Sequence, residues 1–133
     1  MTFGTNDSAR VLSDDVNSSL VGAADAKLGA KAQRLLDLTK GREKYFRRSV
    51  MSDTVMSVML SLFLAELKAV PLTQATLALI NLLDDDEGRG VVESLTHAGL
   101  AAVTGANPDR RTVGLTPLGS ARMRSFISDY PDI

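Results

Sequence analysis

Thirteen consecutive residues, Val55 to Leu67, carry apolar side chains around almost their whole girth, broken only by Ser57, Ser61 and Glu66. A helix of that kind has no broad face to give to water and has to lie at the centre of a core. It falls well short of the roughly 20 residues that a bilayer crossing needs, so a membrane span is not expected. Ser52 or Asp53 can cap its start, and Pro71 stops it by lacking an N–H and driving Val70 out of the α region. The expected helix is therefore Thr54 to Ala69. A chain of 133 residues, 44% hydrophobic and 23% charged, supplies enough other apolar surface to surround it as a single domain with a tail.

The surroundings are read in the same way. Residues 1–24 show no clean period and are expected to form a flexible N-terminal tail. From Asp25, Leu28, Ala32, Leu35, Leu36 and Leu38 recur at helical spacing up to Lys40, where Gly41 either ends the helix or dents it. Residues 25–50 thus hold an N-terminal helix and a basic segment, and 51–133 the remaining domain. After Pro71, Thr73 can cap a short helix through Leu83 with Leu77, Ile80 and Leu83 on one side. Asp84, Asp85, Asp86 and Glu87 then open a helix to Ala98, since acids complement the helix dipole and cap free N–H groups. Val91, Val92 and Leu95 form its buried stripe, and Gly99 sits where a left-handed C-cap belongs. Beyond Gly99 the period changes: Leu100 to Thr104 and Thr112 to Leu115 flank a turn-rich loop and predict a hairpin. Thr116-Pro117 starts a last helix to about Ser128, with Met123, Phe126 and Ile127 directed to the core. The fold class expected is mainly α with a small β-hairpin.

Composition removes several chemistries. There are no cysteines and one histidine, His97, which excludes thiolate and most imidazole metal sites and a cysteine nucleophile. The acids at 84–87 lack the spacing of a calcium loop, so neither metal nor cofactor is expected. No nucleophile sits on a strand-to-helix elbow, and no enzyme is expected. The start of the chain has neither the basic nor the apolar run of a signal peptide, which points to the cytoplasm. Net charge is −1, yet residues 31–50 hold seven Lys/Arg against two Asp/Glu. That strip, centred on Lys40 to Arg48, is either a phosphate-binding surface or the solvated face of a helix.

Three helices followed by a hairpin is the plan of a winged helix-turn-helix. Leu77, Val91 with Val92, Leu95 and Gly99-Leu100, then Asn107-Pro108-Asp109-Arg110-Arg111 and Leu115-Thr116-Pro117-Leu118-Gly119, resemble the multiple-antibiotic-resistance regulator (MarR) family. The resemblance spans about residues 53–128. It implies a winged helix-turn-helix with an added N-terminal helix, acting as a cytoplasmic, homodimeric, DNA-binding transcription regulator. The recognition helix would be 85–98 and the wing 101–115. Arg110 and Arg111 would hold phosphates or the minor groove, Asp109 would brace the wing, and Arg89, Ser94 and His97 would face bases. The dimer seam is expected along the Asp25–Lys40 helix, through Leu28, Leu35 and Leu36.

The chain departs from the family at the recognition helix. Where relatives carry an arginine this chain has Gly90, and often another where it has Ser94. Asp84, Asp85, Asp86 and Glu87 stand at the end that should approach the phosphates. Each carboxylate so placed costs about 0.5–1 kcal/mol at surface dielectric. Gly88 and Gly90 each loosen the helix by roughly 1 kcal/mol relative to Ala. The four acids serve either as caps or as a surface for a basic protein partner, and the alternative function is a winged-helix interaction module with weakened DNA binding. Arg110 and Arg111 admit a plainer reading too, as an ordinary charged turn.

Overall fold

A computed structural model of the chain describes residues 22–41, 54–107 and 110–131. Residues 22–41 form α1, so the last three positions assigned to the tail are already helical. It is followed by α2 (Thr54–Lys68), β1 (Leu72–Thr73), α3 (Gln74–Ile80), α4 (Asp85–His97), β2 (Ala101–Thr104), β3 (Thr112–Leu115) and α5 (Pro117–Asp129). The basic strip beyond Gly41, with Arg42 to Arg48, lies outside the described residues, as does the junction at residue 50.

The apolar girth of α2 has the consequence its sequence requires. Eight successive residues, Ser57 to Leu64, are buried. The two hydroxyls in that run are accommodated inside the helix: Ser61 Oγ donates to Ser57 O at 2.9 Å. Around α2 a single core collects Leu35 and Leu36 from α1, Leu77 from α3, Val92 and Leu95 from α4, Val113 from β3, and Met123 and Ile127 from α5. Phe63 is wholly buried, and Arg124 of α5 covers its ring at 5.6 Å. The same guanidinium donates to Asp25 Oδ1 at 2.9 Å, a bond that raises its pKa and ties α1 to α5. Lys31 Nζ reaches the carbonyl of Tyr130 alongside it.

Some apolar expectations are corrected here. Leu35 and Leu36 are buried in this chain's own core, so they are not free to form a seam with a second copy. Leu38, Ile80 and Phe126 are exposed rather than packed inward; Phe126 instead meets Tyr130 edge to face at 5.7 Å. Helical periodicity marks a face but not its edges, and all three lie at the margins of their stripes.

The hairpin is joined by a third strand. β1 is only two residues, yet it pairs antiparallel with β3, Leu72 opposite Val113 and Thr73 opposite Thr112, giving the order β1-β3-β2. This pairing clamps the start of the helix-turn-helix to the loop-side half of β3. α5 is fixed at the opposite end of the hairpin, its base. Thr116 Oγ1 donates to Gly99 O at 2.6 Å and accepts from Gly119 N at 3.0 Å. Gly119 lies so close to the Leu100 carbonyl that a Cβ would overlap it. The Leu-Thr-x-x-Gly signature thus has a packing cause.

Three helices end with one geometry. Gly99 (φ 75°), Leu82 (φ 55°) and Ala69 (φ 53°) are left-handed, each followed by a residue whose N–H reaches back five positions. Only one of the three is the expected glycine.

Candidate nucleic-acid interface

The helix-turn-helix is built by α3, a tight turn and α4. Thr73 caps α3 by accepting from Thr76 N at 3.2 Å. At the other end Leu83 N donates to Ala78 O at 2.8 Å, which closes the turn within two residues of the helix. Asn81 is buried there, donating to Leu77 O at 2.9 Å and Ser61 Oγ at 3.3 Å, and so pins the turn to α2. Its Oδ1 has no partner among the described residues.

Asp84 starts α4 with a full capping box: Glu87 N donates to Asp84 Oδ1 at 2.7 Å, and Asp84 N to Glu87 Oε1 at 3.2 Å. Two of the four acids therefore satisfy the helix end. Asp86 takes a third role, pairing with Arg89 at 2.7 Å on an exposed face. A pair this exposed contributes about 0–1 kcal/mol. Asp85 alone points into the cleft described below.

The two glycines of α4 do unlike jobs. Gly88 is buried, and a Cβ there would stand 2.8 Å from Ala78 Cβ, so its absence lets α3 and α4 touch. Its presence reflects close packing rather than a loosened helix. Gly90 has nothing within 4 Å of a built Cβ and lies on the surface. An exposed helix-interior glycine gives up roughly 1 kcal/mol against Ala with no packing return.

Gly88, Val92 and Leu95 are the buried row of α4. The opposite row is Asp86, Gly90, Glu93 and His97, all turned away from the core. Between this helix, the start of α3 and the wing lies an open cleft of about 770 Å³. Arg89, Glu93, Thr96 and His97 line it from α4, Gln74 from α3, and Val103 and Arg111 from the strands and wing. Arg111 is held by Nε donating to Gly105 O at 3.2 Å, where Gly105 takes φ 117°. Arg110 is exposed, its N–H donating to Asn107 O at 3.0 Å.

Of the residues named from sequence, Asp85, Arg89, His97 and Arg111 line one cleft. Ser94 is exposed on the far flank of α4 and does not line it. Asp109 and its bracing role lie outside the described residues. Glu93, which shares a helical face with His97, lines the cleft as well, and so does Gln74, whose place depends on the turn geometry and carries no sequence signal. Among the described residues no helix is long and apolar enough to cross a membrane, and no three candidate ligands gather into a metal site.

No protein-family model and no curated protein matches the chain. Among solved structures it is similar to a MarR family regulator from Neisseria meningitidis, at 17% identity and a TM-score of 0.51, covering 77% of this chain and 70% of that one. A MarR family transcriptional regulator from Silicibacter pomeroyi aligns at 22% identity and TM-score 0.48, over 73% of this chain and 66% of that one. MepR, a transcription regulator of the Staphylococcus aureus multidrug efflux pump MepA, aligns at 16% and 0.48, over 84% and 76%. The first of these carries the fold assignment: a MarR-like winged helix-turn-helix with an added N-terminal helix.

Proposed function

We propose that this MarR-like winged helix is a DNA-binding transcription regulator working as a homodimer. The observation that supports it best is the cleft between α4 and the wing, open to solvent and flanked by Arg89 and Arg111. In this reading α4 enters the major groove while the wing arginines, Arg110 and Arg111, grip the backbone and set register. Arg89 exchanges Asp86 for a phosphate or base edge as the duplex arrives. His97 adds a short-range polar contact. The seam between copies runs along α5 and its C-cap, where Leu118 (46% exposed), Phe126 and Tyr130 (37% each) leave apolar surface uncovered.

Fluorescence anisotropy with a mixed-sequence duplex, titrated over salt, tests the reading. Binding that falls steeply with salt is expected, because released counterions report phosphate contacts. Replacing Arg110 and Arg111 by alanine lowers affinity across all sequences and reduces the salt slope by about 1 for each arginine that had neutralised a phosphate. Absence of binding at low salt would leave the fold as a protein-interaction module, with the acidic start of α4 meeting a basic surface. A monomeric mass by light scattering at micromolar concentration would remove the homodimer.

A further inference from the structure

Resting on the DNA-binding reading, we infer that Glu93 is a specificity residue that selects cytosine in the major groove. Glu93 lies at the middle of the outward row of α4 and lines the cleft together with Arg89 and Arg111. Its carboxylate accepts no hydrogen bond and joins no ion pair among the described residues. A helix laid in the groove by this face brings that carboxylate to the base edges. An ionised carboxylate only accepts, so it is repelled by phosphate, by the N7 and O6 of guanine and by the O4 of thymine. Adenine offers its N6 amino group but sets the N7 acceptor beside it. In the pair that N6 group is flanked on both sides, by N7 and by the O4 of thymine, whereas the N4 amino donor of cytosine has an acceptor on one side only, the O6 of its guanine, and an open C5 edge on the other.

Gly90 supports the same docking from a second direction. It precedes Glu93 by one turn on the same row and has open space where a side chain would project. The backbone of α4 can therefore approach the base edges closely enough for the Glu93 side chain to reach them. Arg89, one turn before Glu93 on the flank toward the wing, is paired with Asp86 and becomes a donor to the duplex when it exchanges that partner, as in the DNA-binding reading.

The test is selection from a randomised duplex library at low salt, with the parent protein and with Glu93→Ala and Glu93→Gln, followed by anisotropy on single duplexes. The parent is expected to enrich one cytosine per half-site and to bind the corresponding thymine duplex about tenfold more weakly. Both variants bind those two duplexes alike, and Glu93→Ala binds mixed-sequence DNA at least as tightly as the parent. The assignment is overturned if the parent shows no cytosine preference, or if Glu93→Ala keeps it. Failure of the parent to bind any duplex removes the DNA reading and this assignment together. Circular dichroism of the variants confirms that the substitutions leave the fold intact.

Discussion

The contact of Gly88 with Ala78 can be measured against an internal control two residues along the same helix. Both Gly88→Ala and Gly90→Ala gain the same helix-forming advantage, roughly 1 kcal/mol. At Gly90 nothing stands within 4 Å of the added methyl, so that gain is expected in full. At Gly88 the methyl would lie 2.8 Å from Ala78 Cβ. Carbon atoms rest at about 3.5–4.0 Å, so α3 and α4 have to part by roughly 1 Å. Ala78 cannot turn aside, because its only side-chain atom is fixed to the backbone. Overpacking of this kind costs about 1–3 kcal/mol. Gly90→Ala should therefore be more stable than the parent by up to about 1 kcal/mol, and Gly88→Ala about 1–3 kcal/mol less stable than Gly90→Ala. Urea unfolding followed by circular dichroism reads both, and in a thermal scan their midpoints should lie about 3–12 °C apart. Equal stability of the two variants would refute the close approach of α3 and α4.

Other perturbations follow from the same geometry. Gly119→Ala drives a methyl into the Leu100 carbonyl and is expected to cost about 2–4 kcal/mol by chemical denaturation, once the strained Thr116 bonds are included; a loss under about 0.5 kcal/mol would count against that joint. Asp84→Ala removes the side chain that accepts from Glu87 N, and stability should fall by about 0.5–2 kcal/mol in urea titration. Asp25→Asn weakens the half-exposed pair with Arg124, so the same titration should register a change of no more than about 1 kcal/mol.

Much of this fold was written in local signals. The girth of α2, the acids opening α4, Gly99, and Thr116-Pro117 each determine their neighbourhood through capping or burial, and each stands where expected. β1 was not legible, because two residues after a proline acquire strand character only by meeting Thr112 and Val113 some forty positions later. Nor were the turns at Ala69 and Leu82, exposed non-glycine residues in a left-handed conformation that costs about 1–2 kcal/mol, each offset by the following N–H bonding back into the helix. At the candidate site the sequence supplied Arg89, His97 and Arg111 but misread Gly88. A glycine needed for helix contact and one left bare at the surface look alike until the facing helix is in view.

The seam between α1 and α5 has a consequence in time. Asp25 with Arg124 and Lys31 with Tyr130 each join positions 99 apart along the chain. The α3–α4 turn closes a loop about a tenth as long, and the entropy difference between the two closures is about 2 kcal/mol. The helix-turn-helix can therefore form early from neighbouring segments, while α1 docks onto a domain already assembled. In native-state hydrogen exchange the amides of α1 should open sooner than those of α4, so that the outermost helices separate before the central fold gives way.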